Sequence, residues 1–171
     1  MSAPPLHPAS LEVAQLASQC ETKRTRRSGP GGQNRNKVET TVVLLHRPTG
    51  IGAEASERRT QGENLRTAYF RLRVNLALEV RLPVDPSAGR SPLWQSRCRG
   101  GRIAVSLDHD DFPSILAETL DVLVAQKMDV KAASEALACT PSQLTKFLKG
   151  EPRALGMVNA HRREAGLHLL H

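Results

Sequence analysis

The residues best suited to chemistry in this chain are the glycines and the glutamine of one short loop. Residues 28–37 read Ser-Gly-Pro-Gly-Gly-Gln-Asn-Arg-Asn-Lys, with three glycines within four positions. Because glycine has no side chain and adopts positive φ, a polyanionic or bulky partner can lie directly against these peptide groups. A backbone that is approached so closely is typical of a catalyst that works through its amide N–H groups.

Basic residues surround this loop on both sides. Six cations fall within fifteen positions, namely Lys23, Arg24, Arg26, Arg27, Arg35 and Lys37. A cluster of this density favours phosphate groups. A glycine-rich loop alone is also typical of surface turns, so its meaning depends on the motifs that follow it.

Three further motifs follow in a fixed order. They are Asn36, the turn His-Arg-Pro-Thr-Gly-Ile at 46–51, and Glu-Arg-Arg-Thr-Gln at 57–61. With the loop, and over residues 9–82, this order closely resembles the catalytic domain of class I peptide chain release factors. The Gly-Gly-Gln tripeptide of that family enters the ribosomal peptidyl transferase centre.

The resemblance implies that Gly31, Gly32 and Gln33 are the catalytic residues of a peptidyl-tRNA hydrolase. The backbone amide of Gln33 would stabilise the charge that develops as the ester bond to the ribose oxygen breaks, and its side chain would shape the water pocket. Losing one such preorganised donor typically costs about 3–4 kcal/mol. In this family the glutamine is also a target for N5-methylation, so a glutamine methyltransferase is a candidate partner for Gln33.

The loop's charge and the resemblance together predict a surface that binds rRNA and tRNA. Its residues are Lys23, Arg24, Arg26, Arg27, Ser28, Asn34, Arg35, Asn36, Lys37, Arg58 and Arg59. No cofactor and no metal are expected, because the sequence has no Ser/His/Asp set and no metal-ligand cluster. His46 and His109 are isolated and are predicted to be structural or solvated.

The resemblance implies the ribosome, peptidyl-tRNA and rRNA as partners. Release factors that read stop codons carry additional domains before and around the catalytic one, and this chain starts only a short helix before the loop. It is therefore more similar to small rescue proteins that free stalled ribosomes without reading a codon. The competing hypothesis is a non-catalytic protein that docks on the ribosome or on nucleic acid. We expect a cytoplasmic monomer, since no apolar run approaches the roughly 20 residues that span a bilayer.

The patterns predict an α+β fold, a small β-sheet packed by helices with the Gly-Gly-Gln loop protruding. A short helix capped by Ser10 and running through about Gln19 precedes a strand that contains Glu21, Lys23 and Arg24 and leads to the loop. A hairpin follows, with strands over 38–46 and 51–55. Apolar spacing then predicts a helix over 61–81 that stops before Pro83. Three arginines lie outside the apolar stripe of this helix and are predicted to form a solvated face: Arg66, Arg71 and Arg73.

The predicted domains are a catalytic domain at 1–82, a linker rich in Pro, Gly and Arg at 83–102, and a helical domain at 103–171. Residues 1–84 hold 13 Lys and Arg against 7 Asp and Glu, whereas residues 85–171 hold 11 against 10. The first half is therefore the one expected to face nucleic acid. Trp94 is the only tryptophan and is a candidate anchor for the linker.

The helical domain contains a pair of short helices that resembles a helix-turn-helix. Asp129 and Thr140 are the predicted N-caps, and Thr140 is followed by Pro at the first helical position. Such a pair is typical both of nucleic-acid binding and of a packing or protein-contact module, and both readings stay open. The basic run of Arg97, Arg99 and Arg102 is read either as a second basic patch on a loop or as part of a solvated linker.

Overall fold

The computed structural model describes residues 6–26 and 40–171. The chain divides into two compact units, Met1–Leu76 and Ala77–His171. The described residues form helices and small antiparallel sheets, which confirms the α+β class. The domain bounds of 1–82, 83–102 and 103–171 stay a prediction. None of the helices within 6–26 and 40–171 has both the length and the apolar character that a membrane crossing requires.

The first unit is built on a three-stranded antiparallel sheet in the order β1, β2, β3. The strands are β1 (Cys20–Thr25), β2 (Thr41–His46) and β3 (Ile51–Ala55). The turn between β2 and β3 ends at Gly50, whose φ of +72° favours glycine. The predicted hairpin is therefore present, although β2 begins at Thr41 rather than Val38; residues 38 and 39 lie outside the described part.

Helix α1 (Val13–Gln19) begins two residues later than a helix capped by Ser10 would. Ser10 instead ends a 3-10 turn, Pro8–Ser10, in which the His7 Nδ1 accepts a hydrogen bond from the Ala9 amide at 3.1 Å. Leu11 is extended, with φ −67° and ψ 143°. The Pro8 turn and its histidine cap thus separate Ser10 from the helix, which a capping rule based on Ser10 alone could not detect.

Helix α2 (Gln61–Glu79) carries the apolar stripe that covers the sheet. Its fully buried side chains include Ala68, Leu72 and Leu76. The predicted solvated face is correct for Arg66 and Arg71, which are exposed, but not for half-buried Arg73. Arg71 pairs with Glu57 at 2.6 Å, and the Arg73 Nε donates to the carbonyl of Ala9 at 2.8 Å.

The second unit is mainly helical. Its helices are α3 (Pro92–Arg97), α4 (Phe112–Ala125), α5 (Val130–Ala136), α6 (Pro141–Lys149) and α7 (Pro152–Glu164). Helix α4 ends at Ala125, and Lys127 and Met128 shortly after it have positive φ, which a helix cannot include. Helix α7 was not predicted, although it has a start signal: the Glu151 side chain accepts the Arg153 amide, and Pro152 follows the cap.

The segment predicted as a linker is ordered structure over much of its length. It contains a 3-10 turn at Pro86–Ala88, helix α3 and strand β4 (Cys98–Arg99), which pairs with β5 (Arg102–Ile103). Trp94 is fully buried, and its Nε1 donates to the carbonyl of Leu137 at 2.7 Å. The tryptophan therefore anchors this segment within the second unit, as its uniqueness in the sequence indicated.

A partly buried ion pair lies at the start of the second unit. Asp121 of α4 accepts hydrogen bonds from Arg81 at 3.0 Å and from the backbone amide of Leu82 at 3.2 Å. Burial raises the pKa of Asp121 to about 6, although the Arg81 charge acts against this rise. The pair holds the chain directly after α2 against α4.

Candidate functional site

The Gly-Gly-Gln loop belongs to segment 27–39, which lies outside the described residues. Predicted residues Arg27, Ser28, Gly31, Gly32, Gln33, Asn34, Arg35, Asn36 and Lys37 all fall in it. The structure does describe both flanks. Thr25 of β1 is paired with Thr41 of β2, the last pair of that antiparallel ladder. Arg26 and Thr40, the residues that adjoin the segment, thus lie at the same end of the sheet.

The loop between β3 and α2 lies at this end as well. Strand β3 ends at Ala55, which is paired with Val42, and Val42 is in turn paired with Arg24 of β1. Arg58 and Arg59 follow Ala55 within four residues, and both are exposed. The structure therefore brings four of the predicted RNA-binding residues to one end of the sheet: Arg24, Arg26, Arg58 and Arg59.

Lys23 differs from these four residues in its surroundings. Because side chains alternate along a strand, it lies on the opposite face from Arg24, together with Glu21. The Lys23 Nζ is 3.3 Å from the Glu21 carboxylate, and both side chains are at least 48% exposed. Arg24, Arg58 and Arg59 make no ion pair with any residue in 6–26 or 40–171. Lys23 thus contributes less net charge than the arginines at the sheet end.

The key positioning residue at this end is Asn64, which the sequence reasoning left without a role. Its side chain is fully buried in the first turn of α2. Its Nδ2 donates to the carbonyls of Thr40 at 2.7 Å and Arg58 at 3.1 Å, and its Oδ1 accepts the Arg58 amide at 2.9 Å. One amide therefore joins Thr40, the residue that follows segment 27–39, to the loop that carries Arg58 and Arg59.

Two contacts within the 56–63 region fix the start of α2. The Thr60 hydroxyl donates to the Glu63 carboxylate at 2.7 Å and accepts the Glu63 amide at 3.2 Å, which is a capping-box pattern. Glu57 lies in the same loop, and backbone hydrogen bonds, followed by Arg71, lower the pKa of its carboxyl. The anionic Glu57 is thus held by Arg71 rather than by the arginines at the sheet end.

Both isolated histidines make structural contacts. His46 is buried, with its Nδ1 at 2.7 Å from the Thr49 hydroxyl and its Nε2 at 2.8 Å from the Gln19 side-chain oxygen. Burial lowers the pKa of His46. His109 contacts Arg97 and accepts the Asp111 amide at 3.0 Å. Within the described ranges, no group of three or more His, Cys, Asp or Glu residues is arranged to hold a metal ion.

The helix-turn-helix-like pair is present as α5 and α6. Both predicted N-caps are confirmed. The Asp129 side chain accepts hydrogen bonds from the amides of Lys131 and Ala132, and the Thr140 side chain accepts one from the Gln143 amide. Leu137, which follows α5, and Leu144 of α6 are both buried. The structure thus confirms the helical pair and leaves its ligand as a separate question.

Together, the sheet, the covering helix and the arginines at one sheet end define a small α+β domain. Comparison with known proteins identifies this domain. Residues 10–88 match the RF-1 domain. Over these residues, the chain is similar to class I peptide chain release factors.

Several relatives share part of this chain. A chloroplastic peptide chain release factor, PrfB1 of Arabidopsis thaliana, is 48% identical over 52 residues, 30% of this chain and 11% of the relative. Peptide chain release factor 1 of Leuconostoc citreum is 44% identical over 61 residues, 36% and 16% of the two chains. A probable mitochondrial peptide chain release factor 1 of Caenorhabditis elegans is 38% identical over 65 residues, 38% and 17%. The chain thus spans less than a fifth of each relative.

Proposed function

We propose that this protein hydrolyses the ester bond of peptidyl-tRNA on the ribosome, without reading a stop codon, and so releases nascent chains from stalled ribosomes. The observation that carries the proposal is the RF-1 domain match over 10–88, which encloses the tripeptide Gly31-Gly32-Gln33. In this reading the partners are the large ribosomal subunit, peptidyl-tRNA and rRNA.

The reaction needs two things from the protein. A water molecule must be directed at the ester carbonyl, and the charge on the leaving ribose oxygen must be stabilised. The Gln33 side chain is assigned to the first and its backbone N–H to the second, since a fixed N–H dipole stabilises developing charge without reorganisation. The glycines at 31 and 32 allow the backbone conformation that aims this N–H.

The described residues support separate roles for the tripeptide, which carries the chemistry, and for the nearby arginines, which bind RNA. Arg24, Arg58 and Arg59 are exposed at the sheet end where both flanks of the tripeptide segment lie. Guanidinium groups bind phosphate oxygens in a bidentate manner. We therefore assign to these arginines the rRNA or tRNA backbone next to the reacting ester, with Asn64 positioning the loop that carries two of them.

Codon-independent action is the finer part of the proposal. The comparison of substrates with and without a stop codon, described below, tests it directly. The expected cytoplasmic location, monomeric state and Gln33 methylation remain predictions. Two of the relatives carry the words chloroplastic and mitochondrial in their names.

The test is release of labelled peptide from purified ribosomes that carry peptidyl-tRNA. Three substrates are compared: ribosomes with an empty A site, ribosomes with a stop codon, and free large subunits. Gly32→Ala, which misdirects the following amide, should lower the release rate by about 10²–10³-fold, and Gln33→Ala should abolish release. Ribosome binding, measured by cosedimentation, should stay nearly unchanged in both variants.

The pattern of results separates the enzyme from a docking protein. Release that is equal with and without a stop codon supports codon-independent hydrolysis. Release only at the stop codon contradicts it. Equal loss of binding and release in Gln33→Ala would indicate that the loop docks rather than catalyses.

A further inference from the structure

The second unit has a basic surface formed by two parts of the chain that are distant in sequence. We name it the ribbon-helix surface. It consists of Arg99 and Arg102 on the β4–β5 ribbon and of Gln143, Lys146 and Lys149 on helix α6. All four of its cations are exposed.

The ribbon itself is a tight hairpin that only glycines permit. Cys98 is paired with Ile103 and Arg99 with Arg102, so Gly100 and Gly101 form a two-residue turn. Their φ values are +56° and +76°. Positive φ at both central residues is the requirement of a type I′ hairpin turn. The run read from the sequence as a loop or linker is therefore a defined ribbon.

This turn is bonded to the start of α6. Gly101 forms a parallel bridge with Cys139, and the Thr140 amide donates to the Gly101 carbonyl at 3.1 Å. Thr140 is also the N-cap of α6, since its hydroxyl accepts the Gln143 amide at 3.2 Å. The ribbon and the helix thus meet at one residue, which places Arg102 beside the first turns of α6.

The two elements enclose a shallow groove of about 260 Å³. Arg102, Gln143 and Lys146 line it with polar groups, and Leu107 and Phe147 contribute apolar surface. Leu107 is 49% exposed. A guanidinium, an ammonium and an amide around a partly apolar floor match the sugar-phosphate backbone of a nucleic acid, which offers anionic oxygens next to a ribose.

The charges of this surface are not balanced within the described part of the chain. Arg99 and Arg102 are directly opposite each other on the ribbon, and like charges in that position destabilise a strand pair. Neither they nor Lys146 and Lys149 form an ion pair with another residue of 6–26 or 40–171, and α6 itself contains no acidic residue.

Other arginines of the same unit, by contrast, form ion pairs with carboxylates. Arg97 pairs with Asp111 at 2.7 Å, and Arg153 pairs with Glu151 at 2.9 Å. This unit therefore contains carboxylates that neutralise arginines elsewhere, and the ribbon-helix surface is left with its full positive charge. A surface of this kind favours a polyanion.

We propose that the ribbon-helix surface binds the phosphate backbone of RNA and serves as a second RNA-binding site of the protein. The surface chemistry specifies a phosphate backbone. The choice of RNA rests on the proposed function, which places the protein on the ribosome. Arg99, Arg102, Lys146 and Lys149 bind phosphate oxygens, and Gln143 adds a hydrogen-bonding group beside them.

The first experiment is lysine footprinting of the full chain. The protein is acetylated with and without a structured RNA hairpin, and the modification of each lysine is measured by mass spectrometry. Lys146 and Lys149 should be protected several-fold by the RNA. Lys131, which is exposed on α5 outside the groove, is the control and should be acetylated equally in both samples.

The second experiment measures the affinity of charge variants for the same hairpin as a function of salt. Each lost phosphate contact lowers the slope of log K against log salt by roughly 0.7–0.9. The double variant Arg102→Gln with Lys146→Gln should therefore bind about tenfold more weakly at low salt, with a slope smaller by about 1.4–1.8. The matched control is Lys131→Gln with Arg163→Gln, which removes the same charge from exposed positions on α5 and α7.

Distinct outcomes overturn the proposal. Equal protection of Lys131 and Lys146, or equal weakening by both double variants, would show that RNA binding reflects net charge alone. Stronger binding to duplex DNA of the same sequence would overturn the choice of RNA. Neither readout uses peptide release, so a protein that fails the release test and still shows this footprint would refute the proposed function and leave this site standing.

Discussion

The two units of this protein present their cationic surfaces in different ways. In the first unit, the residues assigned to chemistry are contiguous in one segment, and the described structure supplies only its two flanks and the neighbouring arginines. In the second unit, the surface exists only because a ribbon at 98–103 meets a helix that starts at Pro141. A contiguous motif can be read from sequence, whereas a surface assembled by tertiary contacts requires the fold.

The largest expected effect tests whether segment 83–102 is a packed part of the second unit or a linker. Trp94→Ala removes a fully buried indole and its hydrogen bond to Leu137. We expect unfolding free energy to fall by about 3–5 kcal/mol, measured by urea denaturation of the full chain. Trp94→Phe, which keeps most of the volume and loses the N–H, should cost less. A loss below about 1 kcal/mol for Trp94→Ala would restore the linker interpretation.

The next effect tests whether the flanks of the tripeptide segment need positioning. Asn64→Ala leaves the backbone groups of Thr40 and Arg58 without their hydrogen bonds to this amide. The expected cost is about 2–3 kcal/mol of stability, with a fall in peptide release even under conditions where the variant is fully folded.

The control for that prediction is Asn75→Ala. Asn75 lies on the same helix and donates to the carbonyl of Gly52 at 2.8 Å, close to the start of β3 rather than its end. The Asn75→Ala variant should lose stability and keep its rate of peptide release per folded molecule. If both variants lost release equally, the sheet end near Asn64 would have no special role.

The smallest effect concerns the turn of the ribbon. Gly101→Ala places a side chain at φ +76°, with its Cβ 3.4 Å from the Thr140 methyl group. We expect a loss of about 1–2 kcal/mol together with weaker RNA protection of Lys146. Gly89→Ala, also at positive φ but in open space, should cost similar stability and leave that protection intact. Identical footprints for the two variants would separate the ribbon from RNA binding.

Local signals account for the parts of the fold that the sequence predicted. The β2–β3 hairpin follows from β-branched residues and a glycine turn, and the start of α6 follows from Thr140 and Pro141. The helix α2 follows from its apolar period. In each case, residues close in sequence determine the element.

The parts that were missed depend on distant residues. Nothing near Asn64 in sequence reveals that its amide joins Thr40 to Arg58. Similarly, a Gly-Gly pair between arginines is typical of a flexible linker until Cys139 and Thr140 are placed against it. The tripeptide Gly31-Gly32-Gln33 and the resemblance it carries come from the sequence alone, because segment 27–39 lies outside the described residues.

The cysteines at the junction of the ribbon and α6 allow the rate of local opening in the second unit to be measured. Cys98 and Cys139 are buried free thiols, and burial raises the pKa of both, that of Cys139 to about 12. A thiol of this kind reacts with an alkylating reagent only when the local structure opens. The alkylation rate of Cys139, measured against that of half-buried Cys20 in the first unit, therefore reports how often the ribbon separates from α6, with no label and no substitution introduced.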